Sequence, residues 1–337
     1  MNVKLPATLR YLLLLAFGIG LLWLSFRGVD LRTTLDEFHH IHYGWLAVSI
    51  AVSLIAFYSR ALRWKLLIEP LGFVPRTVST YHSLMVGYLA NLAVPRLGEV
   101  TRCGSLNRSD RVPFDVLLGT VIVERLLDVV CLMCCLFATA WLEHERLWDF
   151  LHTNILGPLN AKASYLFTIQ GGILLLLLLI GMIGVVLWAI RNRDKGGLSG
   201  KFSKLVSGIV QGLRSASRIK KPGAFFFHTL LIWLMYFLMS YTCFKALPAT
   251  ASLGMNAGLF VLVVGGMGMS APVQGGIGAY HLLVSRGLLL FGMAPVHGLA
   301  FATLMHTSQT LVVIVLGAVS MFYLSLLPTK DSRHVQS

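Results

Sequence analysis

Charge is what this sequence has least of. Only 12% of its 337 residues are Asp, Glu, Lys or Arg, against roughly 25% in an ordinary soluble domain. Hydrophobic residues make up 56%, and the mean hydropathy is +0.75. A soluble globular protein and a disordered chain are both excluded. Acidic residues are scarcest: Asp+Glu number 14 against 28 Lys+Arg, a formal net charge of +14. In a soluble protein that excess would suggest nucleic acid. In a chain this apolar it reads as membrane topology, and no nucleic-acid partner is expected. Long polar segments are also missing. The longest, from Arg191 to Pro222, is basic and too short for a catalytic domain. There is no hydrolase elbow, P-loop, zinc-protease motif or coherent nucleophile triad, and Gly275-Gly276-Ile277-Gly278 has no preceding strand to make it a dinucleotide fingerprint. The five cysteines imply no disulfide framework. Cys131, Cys134 and Cys135 share a helix face without His or carboxylate companions, so they read as apolar core residues rather than metal ligands. The chain is therefore expected to be no enzyme, with no metal and no cofactor.

What is present is a succession of apolar runs. Segments 9–26, 44–68, 114–142, 165–190, 224–247 and 297–327 can each cross a bilayer core at about 1.5 Å per residue. The first follows Lys4 and Arg10 and resembles the opening of a signal peptide. It ends in Leu24-Ser25-Phe26-Arg27, without a small-x-small cleavage site, and is expected to be a retained first helix. Two further regions are broken. Segments 78–94 and 97–112 flank the Pro-Arg-Leu-Gly stretch at 95–98, and segments 255–270 and 276–292 flank Pro272 to Gly276. Each half is short for a span.

Charge bias orders these segments. Lys4 and Arg10 place the N-terminus in the cytoplasm, and two spans return the chain there at Arg60, Arg63, Lys65 and Arg76. Arg96, Arg102, Arg108 and Arg111 follow segment 78–94, so the chain must re-emerge on the same side; a re-entrant hairpin over 78–112 does this. Span 114–142 leads to Glu143, Glu145 and Asp149 outside, and span 165–190 leads back to the densest basic stretch, 191–221. A second hairpin over 255–292 enters from outside, and span 297–327 brings the C-terminus inside. The expectation is an all-α polytopic membrane protein of a single integral domain, 1–337. It has about six full spans and two re-entrant hairpins, with residues 44–142 and 224–327 as inverted repeats; the plainer alternative is eight or nine ordinary spans with two kinks. Segment 199–221 carries Phe202, Leu205, Val206, Ile209, Val210 and Leu213 on one face with Lys201, Lys204, Arg214 and Arg218 beside it. It reads as a basic amphipathic helix at the cytoplasmic interface, facing lipid or a partner protein. His39, His40 and His42 read as a solvated exterior loop.

Ionisable groups deep in a span are costly and persist when paired or facing a wet cavity. Glu124, Arg125 and Asp128 lie on span 114–142, with Glu124 about 16 Å along the helix, near mid-bilayer. Arg125 suits an anionic head group through its planar fork; the alternative is a buried structural ion network. At the first hairpin tip, Asn91, Pro95, Arg96, Gly98, Glu99 and Arg102 supply possible partners: Arg96 or Arg102 for Glu124 or Asp128, and Glu99 for Arg125. The second tip holds Pro272, Gln274, Gly275, Gly276, Gly278, Tyr280 and His281, and His306 sits near mid-depth in the last span. The glycines permit close backbone approach, and the histidines could move a proton or simply be hydrogen-bonded.

The stretches NLAVPRLGEVTR at 91–102, VIVERLLDVV at 121–130 and APVQGGIGAY at 271–280 resemble the lysylphosphatidylglycerol synthase transmembrane-region family, which includes stand-alone flippase-like proteins. That resemblance implies about eight membrane helices and movement of lipids between leaflets. It maps the family's hairpin motif to Asn91, Pro95, Arg96, Gly98 and Glu99, its span motif to Glu124, Arg125 and Asp128, and its glycine motif to Pro272, Gly275, Gly276 and Gly278. Two positions depart: many relatives carry glutamate where this chain has His281, and often arginine where it has His306. The soluble aminoacyl-transfer domain of the bifunctional synthases has no counterpart in the sequence, so lysine transfer by this chain alone is not expected.

The functional expectation is a lipid flippase or translocator in the cell membrane. Its partner is a phospholipid or polyprenyl-phosphate lipid, handled by Arg96, Glu99, Arg102, Glu124, Arg125, Asp128, Gln274, His281 and His306. The alternative is an accessory protein that docks a cytoplasmic glycosyltransferase or lipid-modifying enzyme through 199–221.

Overall fold

A computed structural model describes residues 7–27, 30–146 and 219–328. Residues up to Thr139, with those from Ile219 onward, form one compact unit; Ala140–Arg146 begin a second. In that second unit the Glu143 carboxylate accepts from Arg146 at 2.8 Å. The span expected at 165–190 and the amphipathic helix expected at 199–221 lie outside the described residues.

The regular elements described are helices. In chain order the α-helices are α1 (Ala7–Phe26), α2 (Leu31–His39), α3 (Tyr43–Ile68), α4 (Thr77–Ala93), α5 (Leu97–Asp110), α6 (Phe114–Leu142), α7 (Pro222–Phe244), α8 (Met255–Ser270), α9 (Ala279–Gly287) and α10 (Pro295–Leu326). Three stretches among the described residues are long and apolar enough to cross a membrane: Tyr43–Leu71, Pro222–Phe244 and Pro295–Leu326. Among the described residues the protein is thus all-helical, with helices suited to a membrane. α6 matches these in length, 29 residues, but carries Asp115, Glu124, Arg125 and Asp128.

Both sequence breaks fall at an X-Pro bond, because proline disfavours helical geometry in the residue before it. Val94 is extended (φ −134°, ψ 124°) and ends α4. Ala271 is extended likewise (φ −59°, ψ 147°) and ends α8. After Pro95 the chain turns through Arg96 in left-handed geometry (φ 63°, ψ 6°). α5 then runs back along α4 so closely that a Cβ on Gly98 would lie 2.6 Å from Asn91 Cγ. The Asn91 side-chain oxygen accepts from the Gly98 N–H at 2.7 Å, clamping the tip. The two ends of this hairpin are also tied, since the Arg76 N–H donates to Asp110 at 2.9 Å. In the second hairpin, left-handed Gly275, Gly276 and Gly278 make the turn. Its returning helix therefore starts at Ala279, three residues later than the sequence suggests, and finishes in a 3-10 turn, Leu288–Phe291.

Packing sets the heights of these pieces. α3 and α7 run antiparallel, with Ser49 donating to the Met239 carbonyl at 2.9 Å and Ser59 bonded to His228 Nδ1 at 2.9 Å. Small residues such as Ser49, Ser53 and Ala56 line the buried side of α3 and let the backbones approach. Trp64, Ile68, Cys103, Leu106, Leu117 and Val121 lock α5 between α3 and α6. A second core joins Phe244, Val261, Tyr280, Val284, Phe301 and Met305. α4 lies antiparallel to α10: Arg76 donates to the Pro328 carbonyl at 3.0 Å, and His82 Nδ1 bonds Ser320 at 2.8 Å. α10 is 32 residues, about 48 Å. Hairpin α4/α5 therefore rises from the C-terminal end of α10 toward its middle. Hairpin α8/α9 comes from the other end, where a Cβ on Gly298 would lie 2.9 Å from the Ser285 carbonyl. The tips meet: a Cβ on Gly275 would lie 2.9 Å from Leu92.

Two readings of the sequence need correction here. The segment read as an exterior loop around His39 contains α2, capped by Asp30, whose side chain accepts from the Arg32 N–H at 2.9 Å. Phe38 and Ile41 pack on the core around Phe301, while His39, His40 and His42 are exposed. The cysteines at 131, 134 and 135 are not core residues; Cys134 is exposed and the other two are half-buried, whereas Cys103 and Cys243 are buried.

Candidate functional site

α6 places Glu124 and Asp128 on one face, four residues apart. α3 meets that face with Arg60 and Arg63. Arg60 Nη2 donates to Glu124 Oε1 at 2.6 Å and to Asp128 Oδ2 at 3.0 Å. Arg63 Nη2 donates to Asp128 Oδ1 at 2.7 Å and to Glu124 Oε1 at 3.3 Å. From hairpin helix α5, Arg102 brings Nη1 to 2.9 Å from Glu124 Oε2, without hydrogen-bond alignment. Its guanidinium lies 4.7 Å from the Trp64 ring centroid, a cation–π contact in a dry setting. Trp64 is held in turn by donating to Thr120 at 2.9 Å. Arg60 also donates to the Tyr236 hydroxyl at 2.9 Å, which brings α7 into the network.

Arg60 and Arg63 are the residues that sequence reasoning misplaced. Counted as charges at the cytoplasmic end of span 44–68, they are buried against α6 instead. The signal available was their i, i+3 spacing with Trp64 next to it, opposite a span carrying two carboxylates that had to be neutralised.

Burial divides the site residues sharply. Glu124 is wholly buried, whereas the side chain of its neighbour Arg125 is 41% exposed. Arg125 Nε lies 3.4 Å from Glu99 Oε1, and Nη1 lies 3.7 Å from Asp128 Oδ2. Glu99 belongs to the first turn of α5, so Arg125 links span to hairpin tip. Arg60, Arg63, Arg102 and Arg125 face Glu99, Glu124 and Asp128, one positive charge in excess. The donors exceed the acceptors too: Nε of Arg60, Arg63, Arg102 and Arg125, Nη1 of Arg63 and both Nη atoms of Arg102 are buried without a hydrogen-bond partner among the described residues, against two acceptors, Glu99 Oε2 and Glu124 Oε2. Arg96 is exposed at the tip and forms no ion pair among the described residues.

The second hairpin forms a separate constellation. His306 on α10 bonds the Gly275 carbonyl through Nε2 at 2.8 Å, so that nitrogen carries the proton. The His281 ring lies 4.8 Å from the His306 ring, and the Tyr280 ring 5.4 Å from it. His281, His306 and Gln274 are all buried. Gly278 faces α1: a Cβ there would come within 2.5 Å of the Leu22 nitrogen, and Ser25 donates to the Gly278 carbonyl at 3.4 Å. The structure thus joins Glu99, Arg102, Glu124, Arg125 and Asp128 in one network. His281 and His306 share the other, and no bond or ion pair is seen from Arg96 to either. Among the described residues no group of His, Cys, Asp and Glu is arranged to hold a metal ion.

These features define a helical membrane protein with a charged, arginine-rich interior and two helical hairpins tip to tip. The chain belongs to the lysylphosphatidylglycerol synthase TM region family, which matches residues 11–317. Neither a curated protein nor a solved structure matches it. Membership supports a membrane protein related to lipid-modifying processes.

Proposed function

We propose that this protein moves an anionic lipid between bilayer leaflets. The observation that carries the reading is the excess of guanidinium in an otherwise buried ion cluster that opens at Arg125, beside a hairpin tip. Arg125 Nε is itself buried without a hydrogen-bond partner among the described residues; such a donor is costly in an apolar interior, and a phosphate can satisfy it. In this reading residues 44–142 and 224–327 are inverted repeats with re-entrant hairpins, meeting near mid-depth as transporter repeats do. Arg125 and Arg96 engage the head group, and Glu99 gives up Arg125 when the lipid arrives. Glu124, Arg60, Arg63 and Arg102 hold the scaffold rather than the lipid. His281 and His306 hold the second tip. The protein sits in the cell membrane with both termini cytoplasmic, and no covalent step is involved. A docking role for 199–221 rests on residues outside the description and gains no separate support.

The test is leaflet exchange. Full-length protein in phosphatidylcholine liposomes containing fluorescent phosphatidylglycerol should accelerate exchange, and Arg125→Ala should remove most of the acceleration while folding is retained. Folded wild-type protein that leaves exchange at the protein-free rate overturns the reading.

A further inference from the structure

Between α4 and α10 lies a groove of about 480 Å³, floored by Ala90 and Ala93 and walled by Leu89, Leu92, Ile314 and Met321. Its lining is apolar along most of its length, but Thr101, His306 and Thr310 also line it. The positions of these residues along α10 matter. Thr310 is 15 residues from the start of α10 and 16 from its end, so it sits at the middle of the helix. Met321 is five residues from the end. The groove therefore runs about 22 Å from His306 toward the bilayer surface, roughly the depth of one leaflet. Its polar groups lie at the deep end and its hydrocarbon lining runs out toward the surface.

That polarity is opposite to an annular lipid, which keeps its head at the surface and its tail toward the middle. An ordinary lipid lying in the groove would put its chain terminus against Thr101, His306 and Thr310 and its ester and head against Met321. The matching occupant has its polar end at mid-depth and its chain directed outward. The deep end also adjoins the tips, where Leu92 meets Gly275 and the exposed Arg96 lies four residues from Leu92.

We infer that this groove is the seat for one acyl chain of a phosphate-bearing lipid whose head has been drawn in to the level of the hairpin tips. The inference rests on the transport reading and adds to it where the tail goes in mid-passage. Hydrocarbon against hydrocarbon favours no direction along the groove, so the orientation comes from the polar end. There the Thr310 hydroxyl can donate to an ester or phosphate oxygen, while the free Nδ1 of His306 and the Thr101 hydroxyl oxygen, whose proton goes to the Leu97 carbonyl at 2.9 Å, can accept from a head-group hydroxyl such as that of phosphatidylglycerol.

Two photoactivatable phosphatidylglycerols test this, one with a diazirine beside the ester and one with it at the chain terminus. Each is mixed into phosphatidylcholine vesicles holding the full-length protein. The expected adducts are ester-side at His306 or Thr310, and terminal at Ile314 and Met321. Ala93→Trp, which fills the floor, should lower the terminal adducts about tenfold, in line with the cost of overpacking. The reversed pattern, terminal label at Thr310 and ester label at Met321, identifies an ordinary annular lipid and overturns the inference. So does the absence of label from the groove with both probes, the result expected if another part of the chain or a second copy covers it. Labelling of wild-type protein needs no turnover. Expected adducts without leaflet exchange would therefore sink transport but keep the seat, and exchange with reversed adducts would do the opposite.

Discussion

Glu124 and Arg125 are adjacent in sequence and opposite in circumstance. Glu124 takes three arginines in a site with no exposure, and removing one partner of such a cluster leaves charge stranded in a low-dielectric interior. Glu124→Ala is expected to cost about 3–5 kcal/mol of stability, the range for breaking a buried pair. Arg125→Ala removes a half-exposed side chain and is expected to change stability by no more than about 1 kcal/mol. Thermal unfolding of the two purified variants in one detergent measures the contrast; equal losses would mean that Arg125 is as structural as its neighbour. Half of this site was legible beforehand. Two carboxylates and an arginine within five residues of an apolar span announce a polar interior, and the hairpin beside it offers Arg96 or Arg102 for Glu124 or Asp128, of which Arg102 with Glu124 forms, and Glu99 for Arg125. Arg60 and Arg63 were not legible, because charge-bias counting treats any cation near a span end as solvated. Only the fold reveals that the last turns of α3 are covered by α5 and α6.

At the scale of elements, the breaks were readable because proline acts on its own predecessor, a local rule. α2 escaped because its nine residues are mostly polar, and the contacts that hold it, through Phe38 and Ile41, reach residues far along the chain. Gly278 is the position where local and distant demands coincide, with φ +80° and no room for a Cβ beside α1. Gly278→Ala should therefore destabilise by about 2–4 kcal/mol, combining left-handed strain with overpacking. Gly254→Ala, at φ −87° with open space, should be close to neutral; equal thermal shifts for the two would refute the packing of α1 on this tip. The first hairpin has a pH signature at its base. Burial acts to raise the Asp110 carboxyl, but the Arg76 N–H, the Arg76 side chain and the Ser109 hydroxyl together hold it below its ordinary value. A depressed carboxyl adds stability that is fully present above about pH 4 and is lost as pH falls through the folded-state value. Unfolding followed from neutral to acidic pH should show that loss in the wild type and less of it in Asp110→Asn, which is weaker at neutral pH.

For the whole molecule, the family and the helical, membrane-embedded architecture could be read from composition and three short stretches of sequence. The heights of the elements could not, since they depend on contacts such as Arg76 with Pro328 and Leu92 with Gly275 that join residues far apart. That last contact has a bearing on leakage. Two turns of chain abut halfway along α10, so among the described residues a path running between the two hairpins meets the backbone of Gly275 and the side chain of Leu92 there. In the transport reading a bulky amphiphile passes such a stopper sideways, with its tail in the groove or the bilayer, whereas a bare ion has no such detour. Vesicles carrying this protein should hold a potassium or proton gradient as long as empty ones do, whether or not their leaflets mix; rapid collapse of the gradient would mean that the stopper does not seal.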